Sequence, residues 1–372
     1  MKIAVITSNY SISGVPLAQI RFARALANRG HEVELVFGYI DACCQVPQTP
    51  EITVRNLNKP QARSMLFPLA KYFKTYSPDV VFTAEDHLNA FVLLAAILSG
   101  TKAKISGSSR VTPYDTYPER LFSKGTVLKV LMKAVMHRAD ALTCVSKDMV
   151  EQYQKVFDSP PHVCVYNIVD DGSSRQRMLE QVDEPWLLDD GVPIIVAVGR
   201  LAPWKGFDIL ILAMNELVKT RNARLLILGD GPSRADLEKL IKQYGLEDVI
   251  SMPGYVENPL KYYRNADIFV LSSRVEGLPN VLVEAMMCGC TPVSTDCPTG
   301  PREVLDGGKY GYLVPVDDSK AMADAIAKAI DKPVPEVMLS EAIKPFAEDA
   351  VISRHFEVLG LSEHIEKTSG KV

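Results

Sequence analysis

Short apolar runs alternate with stretches of helical period along almost the whole of the 372-residue chain. No other feature narrows the fold as far, because a short, continuously apolar strand is buried on both faces and needs helices above and below it. Runs stand at Lys2–Thr7, His31–Gly38, Asp79–Ala84, Ala103–Ser106, Ala141–Val145 and Val163–Ile168. A second series follows at Pro193–Val198, Arg224–Gly229, Val249–Gly254, Asp267–Ser273, Thr291–Thr295 and Gly311–Val316. Between runs, apolar residues recur at helical spacing, as in Leu17, Ile20, Ala23, Leu26 and Ala27. The pattern predicts an α/β protein with doubly wound parallel sheets. Polar, irregular sequence from Asp170 to Gly191 separates the two series and marks an interdomain linker. The expected domains are residues 1–175 and 190–345, with a terminal helical segment over 346–372. In such sheets ligands bind beyond the carboxyl ends of the strands.

Charge is unevenly spread. Residues 1–180 carry 21 Lys+Arg against 16 Asp+Glu, and the remainder 20 against 29. The basic half is expected to meet something anionic, such as a membrane surface or lipid phosphate. Two basic amphipathic helices, Ala62–Tyr76 and Leu121–Arg138, suit peripheral contact with lipid headgroups. Core-packed helices with a solvated charged edge would look the same. No dense basic run interleaves with aromatics, which argues against nucleic acid. The seven cysteines form no C-x-x-C pair, so reduced thiols in a cytoplasmic protein are expected rather than a zinc site. The longest apolar run, Ala90–Leu98, is too short to span a bilayer, and Met1–Thr7 reads as a strand rather than a signal peptide.

The chemistry-bearing stretch is Arg274–Gly289, R-V-E-G-L-P-N-V-L-V-E-A-M-M-C-G. It leads from a buried strand into a helix, with Pro279 suited to the first turn. The N–H groups of Gly277 and Leu278 can face an anion there, while Glu276 and Glu284 offer carboxylates to hydroxyl groups. A strand–helix turn with two solvated glutamates would read the same way. Arg200 and Lys205 follow another strand and can clamp a diphosphate. Gly14, at a loop-to-helix junction, lets a phosphate approach the backbone, or merely makes a tight turn. On the N-terminal side, Glu85-Asp86-His87 and Ser106–Thr112 also lie at strand ends. His87 and Asp86 are either acid/base groups or a helix cap beside a solvated histidine. No D-x-D occurs, so no metal-bridging carboxylate pair is indicated.

Taken together these residues resemble the GT-B glycosyltransferases of family 4. The resemblance rests on S-G-V-P at 13–16, A-L-A-N-R-G-H-E-V at 25–33, G-R-L-A-P-W-K-G at 199–206, L-I-L-G-D-G-P at 226–232 and Y-R-N-A-D-I-F-V-L-S-S at 263–273. The E-x7-E motif appears as Glu276 and Glu284. The resemblance implies two Rossmann-like domains facing across a cleft, with the C-terminal helix packing back on the first. It implies a retaining transferase that takes a nucleotide-sugar donor and needs no metal or other cofactor. Arg200 and Lys205 would hold the diphosphate, with Gly14 closing over it. Glu276 would orient the donor sugar, with the Gly277 and Leu278 amides and Pro279 beside the phosphate. Glu284 would bind ribose and Val256 the base. Many relatives place a histidine in the loop corresponding to Ser106–Thr112, whereas this chain has G-S-S-R-V. Ser109 and Arg110, with His87 one loop earlier, are the acceptor-side candidates.

The version D-C-P-T-G-P-R-E-V-L after Thr295 is similar to that of bacterial enzymes building lipid-linked and surface glycans. The expected function is transfer of a hexose or N-acetylhexosamine, from a UDP-sugar by preference or GDP-mannose, to a saccharide or lipid-linked acceptor. It would act at the inner membrane face, in surface polysaccharide synthesis. A nucleotide-sugar epimerase and a non-catalytic sugar-nucleotide-binding protein are the alternatives on the same fold.

Overall fold

The computed structural model describes residues 1–10, 14–41, 46, 50–117, 123–188 and 191–362. Ser13 of the S-G-V-P stretch, Cys43 and Cys44, Leu121 at the start of the second basic helix, and residues 363–372 of the terminal segment lie outside the described residues. The chain divides into two units, one of Met1–Ile168 with the chain from Glu348 onward, the other of Val169–Ala347. Each is built on its own parallel sheet.

The first sheet contains β1 (Lys2–Tyr10), β2 (Glu32–Ile40), β3 (Ile52–Asn56), β4 (Val80–Ala84), β5 (Lys104–Ser109), β6 (Ala141–Cys144) and β7 (His162–Cys164). Its order is β3-β2-β1-β4-β5-β6-β7. The second contains β8 (Ile194–Val198), β9 (Arg224–Leu228), β10 (Ile250–Gly254), β11 (Ile268–Leu271), β12 (Thr291–Thr295) and β13 (Tyr312–Val314), in the order β10-β9-β8-β11-β12-β13. The doubly wound expectation holds for both. Strand order reverses between β1 and β4 in one sheet, and between β8 and β11 in the other. A crevice opens at such a point because the flanking connections leave to opposite sides.

One strand escapes the sequence pattern. β3 lies at an edge with three of its five residues exposed, so it lacks the apolar run that marks the others. It is held by pairing with β2 and by Arg55, whose Nε donates to the buried Glu34 carboxylate at 2.6 Å. The basic segment 62–76 begins as a tight turn, Ala62–Met65, before the α-helix Leu66–Tyr76. The second described basic helix runs Lys124–Val135. The polar stretch from Asp170 packs within the second unit: its short helix Ser174–Met178 is tied in by Asn258 Nδ2, which donates to Arg177 O at 2.8 Å. Helix Glu348–Val358 buries Val351, Ile352 and Phe356 in the core of the first unit, and Arg29 pairs with Glu348 at 2.6 Å. The five described cysteines are free thiols. Among the described residues no helix is long and apolar enough to cross a membrane.

Buried histidines make the first unit acid-sensitive. His162 lies in β7, 4% exposed, against the Tyr153 ring at 4.9 Å, and burial pulls its pKa down to about 4. A depressed folded pKa favours the neutral ring, so this stabilisation is complete above the ordinary value near 6.5 and is lost as pH falls towards 4. The loss amounts to about 3 kcal/mol at 1.4 kcal/mol per pH unit. His162→Phe is expected to melt with a shallower dependence between pH 7 and 4.5 than the parent. Parallel melting curves would contradict burial as the cause.

Candidate active site

β8 ends at Val198 and runs through Gly199 and the exposed Arg200 into the tight turn Pro203–Lys205. Among the described residues Arg200 has no ion-pair or hydrogen-bond partner. Gly206 follows in the left-handed region at φ 65°, where a Cβ would stand 2.0 Å from the Ser272 carbonyl oxygen. The turn therefore lies directly against the end of β11. Ser272 Oγ closes the contact by donating to Lys205 O at 2.8 Å.

This apposition brings two sequence-predicted residues together. Lys205 Nζ stands 2.6 Å from Glu276 Oε1, with the side chains 19% and 11% exposed. Ser273 Oγ donates to the same oxygen at 2.6 Å. Glu276 Oε2 has no partner among the described residues. One oxygen is thus anchored by a charge-assisted pair and a hydroxyl, and the other is left to accept from a ligand.

Arg274, to which the sequence attached no role, locks the same loop. Its N–H donates to Trp204 O at 2.8 Å, its guanidinium forks onto Asp208 at 2.8 and 3.0 Å, and its Nε reaches Asp317 at 2.7 Å. The signal for it was only its place next to Glu276 in the strand-end turn. Each pair is partly exposed and contributes at most about 1 kcal/mol to stability. Loosening the loop costs more in rate, because a misplacement of about 1 Å is worth about a hundredfold. Arg274→Met is therefore expected to lower kcat at least tenfold with little change in melting temperature. Unchanged kcat would show that the loop holds itself.

The following turn is stitched to the loop after β12. Thr299 Oγ1 donates to Glu276 O, and Gly300 packs so closely that a Cβ would stand 2.6 Å from Pro279 Cδ. The backbone N–H groups of Gly277 and Leu278 donate to no other described residue, while the Leu278 side chain is buried. Helix Asn280–Met287 begins one residue beyond Pro279, so Pro279 precedes the first turn rather than occupying it. Glu284 is half-buried in that helix, and its charge and burial push the Cys288 thiol up to about 12, burial contributing more. Burial, then Glu276, raises the Cys297 thiol to about 12. Neither thiol is a nucleophile at neutral pH. Val256 is half-buried in the loop after β10.

In the first unit the candidates separate. Gly14 opens helix Gly14–Asn28 and is exposed, and a Cβ there would meet nothing within 4 Å. Ser109 is buried and donates to Asp86 Oδ1 at 3.0 Å. Asp86 is itself 3% exposed and also accepts from Tyr117 at 3.0 Å and Tyr153 at 2.7 Å. Its carboxyl pKa is raised by burial, and it serves this internal cluster rather than solvent. Arg110 has a buried Nε with no hydrogen-bond partner among the described residues and lines a small cavity with Thr83, Ser106 and His355; desolvation lowers its guanidinium to about 10, against the opposing charge of Glu85. His87 is half-exposed in helix Asp86–Ser99, with Nε2 3.6 Å from Glu85 Oε2.

Residues 12–172 match the model of the Glycosyltransferase Family 4, and residues 180–346 that of the Glycosyl transferases group 1. A curated relative is the N-acetylgalactosamine-N,N'-diacetylbacillosaminyl-diphospho-undecaprenol 4-alpha-N-acetylgalactosaminyltransferase of Campylobacter jejuni. It is 32% identical over 65% of this chain and 64% of its own length, so the match spans less than two thirds of that enzyme. Among solved structures, Anabaena Alr3699/HepE in complex with UDP superposes with a TM-score of 0.79 at 17% identity, over 97% of this chain and 100% of its own. The lipopolysaccharide outer core galactosyltransferase WaaB, in its apo form, gives 0.73 at 19%, over 97% and 99%. These likenesses identify the fold as GT-B.

Proposed function

Since this chain belongs to the family 4 glycosyltransferases, we propose that it moves a hexose or N-acetylhexosamine from a UDP-sugar to a saccharide or lipid-linked acceptor, with retention, in bacterial surface glycan synthesis. The observation that carries the site assignment is the Lys205–Glu276 pair at the reversal point of the second sheet, 2.6 Å apart. In this reading Lys205 and Arg200 neutralise the diphosphate as it leaves. The Gly277 and Leu278 amides, fixed by Pro279, bind a phosphate oxygen, and Glu276 Oε2 accepts from a donor-sugar hydroxyl. Glu284 binds ribose and Val256 contacts the base. As the C1–O bond to phosphate breaks, the acceptor oxygen bonds to C1 on the same face and its proton passes to the leaving phosphate oxygen. The two cations supply the positive charge, so activity is expected to be unchanged by EDTA; a strict Mg²⁺ requirement would refute the metal-free assignment.

Support for UDP comes from the Anabaena relative, and support for a polyprenyl-linked acceptor from the Campylobacter enzyme's name. Contact with the inner membrane face is assigned to helices Leu66–Tyr76 and Lys124–Val135. There Phe67 is 75% exposed, and Val127 and Val130 are 67% and 65% exposed on the helix that carries Lys124, Lys129 and Lys133. Such a surface couples apolar contact to headgroup charge. The test is incubation with UDP-sugars and GDP-mannose, with and without a bacterial membrane lipid extract. Nucleotide release that requires the extract supports transfer. Sugar interconversion without it would indicate an epimerase, and tight binding without turnover a binding protein.

A further inference from the structure

The reversal point of the first sheet carries a second built carboxylate. Glu85 follows β4 as Glu276 follows β11, each where the strand order turns. Its backbone sits at φ 80°, ψ 126°, a conformation that an L-residue holds only when its surroundings impose it. They do. Glu85 N donates to Ser108 O at 2.9 Å, Leu88 N and Asn89 N donate to Glu85 O at 3.0 and 2.9 Å, and Asn89 Nδ2 donates to Ser108 O at 3.0 Å.

At this position, just before helix Asp86–Ser99, Asp, Asn, Ser or Thr would cap the helix through a side-chain bond, and glutamate is not a preferred cap. Glu85 makes no such bond. Its carboxylate turns instead to Ser8 at the end of β1, whose Oγ donates to Oε2 at 2.5 Å, and lies 3.6 Å from His87 Nε2. The side chain remains 28% exposed, and Oε1 has no partner among the described residues. The hydroxyl anchor and the unused oxygen of Glu276 recur here, and the backbone strain is particular to Glu85.

We propose that Glu85 binds and orients the acceptor hydroxyl, with Ser8 holding its carboxylate and His87 flanking it, so that the ends of β1 and β4 form a saccharide subsite. This rests on the glycosyl-transfer reading above. A carboxylate accepts a strong hydrogen bond from a neutral sugar hydroxyl, and the Arg110 guanidinium, within electrostatic reach of Glu85, favours its charged form.

Glu85→Gln keeps the shape and removes the charge. The probes are UDP for the donor site, read by thermal shift, and a chloroform–methanol extract of bacterial membranes as acceptor source with the UDP-sugar the parent uses. Acceptor-dependent UDP release is expected to fall roughly a hundredfold, as for loss of a hydrogen bond to a charged group, while the UDP-induced shift is retained. Ser8→Ala should fall less. Glu85→Gly, which tolerates positive φ, should melt no lower than the parent yet transfer as poorly as Glu85→Gln. Transfer by Glu85→Gln within roughly threefold of the parent overturns the proposal. So does loss of its UDP-induced shift, which would mean that the residue acts through the fold. A parent protein that binds neither UDP nor GDP and transfers from neither UDP-sugars nor GDP-mannose overturns the glycosyl-transfer reading itself, and this proposal with it.

Discussion

Lys205→Ala is expected to lower kcat/KM for sugar transfer about a thousandfold or more, the scale on which a preorganised group stabilises charge developing in a transition state. The ammonium stands 2.6 Å from Glu276 Oε1 and is only 19% exposed, so solvent screens it weakly. Removing it also strips a partner from a carboxylate 11% exposed, leaving Ser273 as the remaining donor at 2.6 Å. A stability loss of about 1–3 kcal/mol should accompany the kinetic one. The double variant Lys205→Ala/Glu276→Ala separates the two effects. It should recover part of the stability, because no unpaired carboxylate remains, yet be hardly less active than Lys205→Ala, because residues acting as a unit are not additive in rate. Melting temperatures and steady-state rates on the four members of this cycle are the measurement. If Lys205→Ala kept activity within roughly tenfold of the parent, the pair would not be part of the donor site.

Gly206→Ala should be nearly as damaging without touching a charge. The added Cβ would lie 2.0 Å from the Ser272 carbonyl oxygen, and that atom is backbone at the end of β11. Turn and strand end must separate, which breaks the Ser272 Oγ–Lys205 O bond and draws Lys205 away from Glu276. A displacement on the order of 1 Å costs about a hundredfold in rate. The combined strain and clash should cost about 2 kcal/mol or more in stability. Gly245 is the control. It has φ 64° against 65° at Gly206, but its added Cβ meets nothing within 4 Å. Gly245→Ala therefore reports the dihedral cost alone, about 1 kcal/mol, with activity intact. Equal effects at the two sites would remove the close contact as the explanation.

The sheets were legible because burial on both faces leaves a continuous apolar run, as in β4 and β12, where every residue is buried. β3 was not, since an edge strand with three exposed residues writes no such run. Lys205 and Glu276 were legible as residues at strand ends, from turn chemistry and the spacing to Glu284. Their contact was not. The same holds for Ser109. Its hydroxyl reads as available in G-S-S-R-V, yet Asp86 captures it across 23 residues of chain. Arg274 and Glu85 stood beside motif residues, but a one-dimensional pattern has no mark for a guanidinium that staples three segments or a carboxylate anchored by a serine of another strand.

The sequence by itself determined the alternation of strand and helix, the two series of strands and the residue types gathered at their ends. Those properties are local: side-chain periodicity records which faces are buried, and glycine, proline and carboxylates mark where elements begin and stop. The tertiary structure decided which of those ends are neighbours. β1 lies beside β4 and β8 beside β11 only through the order in which strands add to each sheet. That order rests on pairing between strands far apart in the chain, which local periodicity does not encode. It joins Ser8 to Glu85 across 77 residues and Lys205 to Glu276 across 71.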